Sequence, residues 1–194
     1  MINTLFIHIP KNGGVSILDG LVESDEYNIP EWQHNSHFTH SRMLARSRFY
    51  NFQPEIEFCV VRNPYDRFVS IYHHVQKRVK NSLYYTTDLN ADDDIKILGS
   101  GSFDKFVRKT LCEFNSADLL NNYHHFMLQS AYLDSGDIET FRFEDFSTLE
   151  KQLGIKLKPR NVGKYDKNKS FYNDKATKKI IEDFYEKDFE MFGY

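Results

Sequence analysis

The chain has 194 residues, 40% hydrophobic and 15% aromatic, enough for one folded domain with a real core. Its formal net charge of −3 excludes a general nucleic-acid-binding surface, so any anion recognition must come from local clusters. Cys59 and Cys112 are far apart and form no CxxC pair, which argues against a disulfide framework or a zinc ribbon.

In chain order, residues 4–9 form an apolar run that reads as a buried strand. A turn with paired glycines, Gly13-Gly14, leads into a helix over 14–23. Residues 25–38 are polar and aromatic and read as loops around one short strand, followed by a helical stretch over 41–49. A second apolar strand over 57–61 runs into a helix over 64–79, where Pro64 suits the first turn because its missing N–H is not needed there. Residues 81–101 hold Asp92-Asp93-Asp94 and Gly99-Ser100-Gly101 and read as a loop or lid. Helices are expected over 102–111 and 121–128, a strand over 138–143, and a helix over 146–153 ended by Gly154. A basic, irregular stretch over 156–173 precedes a last helix over 175–189, with Ile180, Ile181, Phe184, Tyr185 and Phe189 on one face. Alternating strands and helices imply a mainly parallel sheet. No signal-like start or membrane-spanning run is visible, so a cytoplasmic protein is expected.

Two segments carry chemistry. The first is Pro10-Lys11-Asn12-Gly13-Gly14-Val15-Ser16, between strand and helix. Glycines let the backbone approach an anion, and the first N–H groups of the helix point at it. Lys11 adds a mobile cation and Ser16 a hydroxyl. The order differs from a nucleoside triphosphatase loop, where lysine follows the last glycine directly and precedes Ser or Thr. The second is Val61-Arg62-Asn63-Pro64-Tyr65-Asp66-Arg67, with Ser70 about two helical turns further on. Arg62 falls at the carboxyl end of a strand, where open α/β sheets bind ligands.

With these residues in place, the chain resembles the carbohydrate sulfotransferase family, which includes the Golgi heparan and chondroitin enzymes and compact bacterial relatives. "IPKNGGVS" is similar to the family's 5′-phosphosulfate loop, usually written with Thr where this chain has Asn12 and Val15, and "VVRNPYDRFVSIY" to its 3′-phosphate motif. "RFEDF" over 142–146 fits as well, as do Asn161, Tyr172, Tyr185, Asp188, Phe189 and the end at Phe192-Gly193-Tyr194. The resemblance implies a P-loop-containing, nucleotide-kinase-like three-layer α/β fold with a mainly parallel sheet, as a single domain over 1–194. It implies 3′-phosphoadenosine 5′-phosphosulfate as co-substrate, no metal, and a saccharide or other hydroxyl acceptor. Lys11, Asn12, Gly13, Gly14, Val15 and Ser16 would hold the 5′-phosphosulfate, with Lys11 also neutralising the leaving oxygen. Arg62 and Ser70 would hold the 3′-phosphate through charge-assisted hydrogen bonds.

An alcohol acceptor needs a base, and histidine titrates in the right range. His34, His37 and His40 lie between the two anion segments; His37-Phe38-Thr39 resembles the family's His-x-Thr, making His37 the first choice and His34 the second. The three as surface loop histidines, or as a zinc site of non-standard spacing, are the competing readings. The resemblance makes Glu144-Asp145 a brace that pairs with an arginine, Arg62 or Arg142, rather than a base; Arg67 reads as structural, and Lys156, Lys158, Arg160, Lys164, Lys167 and Lys169 read as a solvated stretch, an extra donor clamp or a contact for an acidic acceptor. The rival functions are a P-loop kinase, disfavoured because GxxxxGK[ST] is absent, and a non-catalytic nucleotide-binding module.

Overall fold

The computed structural model describes residues 1–30, 53–80, 101–113, 124–133, 138–160 and 169–194. Their regular elements run β1 (Ile2–Ile7), α1 (Gly14–Val22), β2 (Tyr27–Asn28), β3 (Ile56–Val61), α2 (Pro64–Lys80), α3 (Phe103–Arg108), β4 (Glu139–Arg142), α4 (Phe146–Leu153), α5 (Lys175–Phe184) and α6 (Glu186–Phe192). They divide into two compact units, one of Met1–Asn63 with Leu128–Val162, the other of Pro64–Met127 with Gly163–Tyr194. The helix expected over 41–49 and, except for Gly101, the loop or lid expected over 81–101 lie outside the described residues.

The first unit is built on a parallel sheet of order β2-β1-β3-β4. The inner strands read as continuous apolar runs because both faces are covered. Phe6 stands opposite Phe58, and Val60 opposite Phe141. The Phe58 ring meets Phe6 at 5.0 Å and Phe141 edge-on at 5.8 Å. Ile17, Leu18 and Leu21 of α1 and Leu149 and Leu153 of α4 complete this core. Truncating Phe58 to Ala would cost about 3–5 kcal/mol, since nothing nearby can refill the space of a fully buried ring. The α4 helix starts on Asp145, whose carboxylate accepts from the Thr148 amide, and ends at Gly154 with φ +63°. β4 stops at Arg142, one residue short of expectation, because Phe143–Asp145 turn into a 3-10 segment that feeds α4.

The decisive consequence is the neighbourhood of β1 and β3. They pair from Thr4 opposite Ile56 to Ile7 opposite Cys59. Parallel strands end at the same edge, so the glycine loop after β1 and Arg62 after β3 leave the sheet side by side.

The second unit is helical with an aromatic core. Phe68 of α2 contacts Phe103, Phe106, Phe126 and Tyr185, with centroids 5.5–6.1 Å apart. Arg67 is almost fully buried and donates to the carbonyls of His125 and Met127, each at 2.9 Å, in the structural role expected of it. Three expected helices differ in detail. The one over 102–111 leaves α geometry at Lys109 for a π-helical turn, Lys109–Glu113, where the buried Thr110 hydroxyl donates to the Phe106 and Val107 carbonyls. The described part of 121–128 is a 3-10 turn, His124–Phe126. The last helix breaks at Tyr185, which adopts φ −102° and ψ 18° and anchors its hydroxyl on the Phe126 carbonyl at 2.8 Å. Its own carbonyl then accepts from Asp188 and Phe189 and starts α6.

Candidate active site

The loop after β1 is shaped by two residues in the left-handed region, Lys11 at φ +73° and Gly13 at φ +81°. Glycine adopts that conformation freely; lysine does so at a cost, which marks a position held by its surroundings. Gly13 is the N-cap of α1 and brings no side chain to the first turn, where acidic residues are absent too. The leading N–H groups are therefore presented to whatever anion arrives, with the positive end of the helix dipole behind them.

Aromatic rings explain the paired glycines. A Cβ on Gly13 would stand 2.6 Å from Phe146 and 3.2 Å from Phe143. One on Gly14 would stand 2.1 Å from the His8 ring, which itself stacks on Phe6 at 5.8 Å. His8 is thus the wall against which the loop closes. Ser16 is buried, and its Oγ accepts from the Arg160 amide at 3.1 Å, leaving the hydroxyl proton to donate. The basic stretch is fastened here: Arg160 Nε bonds Asp19 at 2.8 Å, and Lys158 Nζ bonds Glu23 at 2.7 Å. Val15 is exposed beside this loop.

Arg62 is 8% exposed. Its Nη1 donates to the Lys11 carbonyl at 3.2 Å, and its guanidinium lies over the Phe143 ring at 4.3 Å. Its Nε is buried with no hydrogen-bond partner among the described residues. A buried guanidinium N–H without an acceptor is costly, and an anion removes that cost. Phe143 thus explains part of "RFEDF". In the same segment Glu144 Oε1 accepts from the Asn63 amide at 2.9 Å, bracing the Arg62 turn. Asp145 is spent on the α4 cap, and Ser147 and Thr148 hydroxyls, each at 2.6 Å, hold its carboxyl below the usual range.

The side chain of Asn12 turns inward. It is 1% exposed, and Nδ2 donates to the Val60 carbonyl at 2.7 Å and to Gln129 Oε1 at 2.8 Å. Gln129 has no motif to announce it. The available signal is a polar residue set between Met127-Leu128 and Ala131-Tyr132, which must be hydrogen-bonded if buried. Of the remaining expected residues, Ser70 sits half-buried on α2 in the second unit. His37 and His34, with His40, lie outside the described residues.

Among the described residues no group of three or more His, Cys, Asp or Glu side chains is arranged to hold a metal ion, and no helix is long and apolar enough to cross a membrane. No curated protein and no solved structure matches the chain. The family model described as "Sulfotransferase family" matches residues 3–194. The P-loop-like fold of sulfotransferases accords with the α/β architecture, the parallel sheet and the glycine loop between β1 and α1. Over nearly its whole length, then, the chain belongs to the sulfotransferase family, whose enzymes transfer the sulfuryl group.

Proposed function

We propose that this enzyme moves a sulfuryl group from 3′-phosphoadenosine 5′-phosphosulfate to a hydroxyl of a saccharide or glycoconjugate, with residues 1–194 acting as one domain. The observation that carries the reading is Arg62: a buried guanidinium with an unspent Nε–H, beside the glycine loop and at the same sheet edge. Two anion-binding elements suit a donor with two anionic ends. Lys11, the amides of Asn12, Gly13, Gly14 and Val15, and the Ser16 hydroxyl take the 5′-phosphosulfate. Arg62 and Ser70 take the 3′-phosphate.

Sulfuryl transfer needs the acceptor oxygen, sulfur and leaving oxygen in line, with charge neutralised on the leaving oxygen. The loop amides and Ser16 orient the sulfonate, and the Lys11 ammonium meets the bridging oxygen as its bond to sulfur breaks. His37 takes the proton of the attacking hydroxyl, and His34 is the alternative base. No metal is required by this scheme.

Thermal shift with three nucleotides tests the reading. Adenosine 3′,5′-bisphosphate should raise the melting temperature well above AMP or ATP at equal concentration, because a ligand that binds only the folded state stabilises it. A larger shift with ATP would overturn the reading in favour of a phosphotransferase. A screen of hydroxyl acceptors with sulfur-labelled donor then identifies the second substrate.

A further inference from the structure

We propose that Gln129 is a positioning residue, locking the glycine loop and Arg62 to each other so that both ends of the donor nucleotide meet a pre-set site. The inference rests on the nucleotide reading of this site. Gln129 is fully buried at the start of a 3-10 turn, Gln129–Tyr132. Its Oε1 accepts from the Arg62 amide at 2.9 Å, and its Nε2 donates to the Arg62 carbonyl at 2.8 Å. A side-chain amide thereby does what a neighbouring strand would do. Arg62 lies just past the last ladder pair, Val61 opposite Arg142, where regular pairing has ended. Gln129 supplies one more rung there and fixes the orientation of the Arg62 backbone.

The same Oε1 also accepts from Asn12 Nδ2 at 2.8 Å. Asn12 is the loop residue between Lys11 and Gly13, both held at positive φ. One buried amide thus ties the loop to the arginine, and Arg62 returns the tie through its bond to the Lys11 carbonyl. Both polar atoms of the Gln129 amide take part in these three bonds. A long side chain such as Arg62 amplifies small backbone rotations, and binding groups lose affinity when displaced by fractions of an ångström. The chemistry singles out glutamine: Asp and Asn are too short, and an ionised Glu would set a carboxylate against the Arg62 carbonyl.

The test is calorimetric binding of adenosine 3′,5′-bisphosphate to the full chain, well below the melting temperature of each variant. Gln129→Met keeps length and volume and removes all three bonds. It should weaken binding about tenfold or more while circular dichroism remains that of the folded protein. Gln129→Glu should recover affinity as pH falls, because the protonated acid again accepts from Asn12 and donates to the Arg62 carbonyl, and should lose it as pH rises. A Gln129→Met protein that binds within about twofold of wild type, with only its melting temperature lowered, would show a structural role and overturn the inference. Should Gln129→Met not fold, the Gln129 side-chain amide resonances of the wild-type protein decide: they shift on adding the bisphosphate if the inference holds, and stay fixed if it does not. Failure of the wild type itself to bind the bisphosphate would take down the nucleotide reading and this inference together. Normal wild-type binding with an indifferent Gln129→Met removes the inference alone.

Discussion

The guanidinium of Arg62 rests on the face of Phe143, 4.3 Å from the ring centroid, while its Nη1 is held by the Lys11 carbonyl at 3.2 Å. Ring and carbonyl together fix the plane of the fork before any ligand binds. Adenosine 3′,5′-bisphosphate should therefore bind much more tightly than AMP, and Arg62→Ala should erase most of that difference, on the order of 2–4 kcal/mol for a charge-assisted two-pronged contact. Phe143→Leu keeps an apolar floor without the π-face and should cost less, about 0.5–2 kcal/mol. Calorimetry with both nucleotides measures this; equal affinities in the wild type would remove Arg62 from the 3′-phosphate.

The contact between Gly14 and His8 gives a second prediction. A methyl group at position 14 would stand 2.1 Å from the imidazole, so Gly14→Ala must displace a ring stacked on Phe6. Overpacking of this kind costs about 1–3 kcal/mol. His8→Ala vacates the space, so the double variant should lose less stability in urea than the sum of the two single ones. Additive losses would show that the ring is not what demands glycine.

The strand–loop–helix units around Lys11 and Arg62 were legible in the sequence because apolar runs bounded by Gly13-Gly14 and Pro64 are local signals. What was not legible depends on distant contacts. Gln129 meets Asn12 across 117 residues and lies in a 3-10 turn that shows no periodicity. The break at Tyr185 is invisible for a similar reason: the apolar pattern continues through it, while the residue that leaves helical geometry is anchored on the distant Phe126 carbonyl. That the His8 ring is what requires Gly14 emerges only in three dimensions.

The two cysteines should react very differently. Cys59 is fully buried in β3, and burial pushes its thiol up to about 11 despite the Thr140 hydroxyl 3.6 Å away, whose hydrogen bond favours the thiolate. Cys112 is exposed. The thiolate is the reactive form, so iodoacetamide at pH 8 should add one label to the native protein, at Cys112, and a second only in denaturant. Labelling of Cys59 under native conditions, read by peptide mass, would show that β3 opens locally.

Acid should loosen two helix starts. Asp174 caps α5 through the Thr177 hydroxyl and the Thr177 and Ala176 amides, and Asp145 caps α4 with Ser147 and Thr148. Hydrogen bonds to their ionised forms hold both carboxyls below their ordinary value. The sign follows: the stabilisation is fully present above the unfolded pKa of about 3.9 and is lost as pH falls through the folded value. Asn at either position still accepts the amide bonds but does not titrate. The urea midpoints of wild type and Asp174→Asn should differ at pH 6 and converge towards pH 2–3, with the wild type more stable where both differ. A gap that stays constant across this range would show that ionisation of Asp174 contributes nothing.

Lys11 offers the sharpest separation of stability from function. Its φ of +73° places an L-residue in the left-handed region, which costs roughly 1–2 kcal/mol relative to glycine. Lys11→Ala removes the ammonium and keeps that strain; Lys11→Gly removes both. If the ammonium neutralises the leaving oxygen, both variants should lose most of kcat, while affinity for adenosine 3′,5′-bisphosphate falls much less, because the charge acts where the bond breaks. Lys11→Gly should nonetheless be the more stable of the two by about 1 kcal/mol, the relief of strain being partly offset by glycine's greater freedom in the unfolded chain. Single-turnover rates and urea unfolding on the same preparations supply both readouts. Turnover of Lys11→Ala within a few-fold of wild type would strip Lys11 of its catalytic role. Equal stability of the two variants would show that the loop bears no strain at this position.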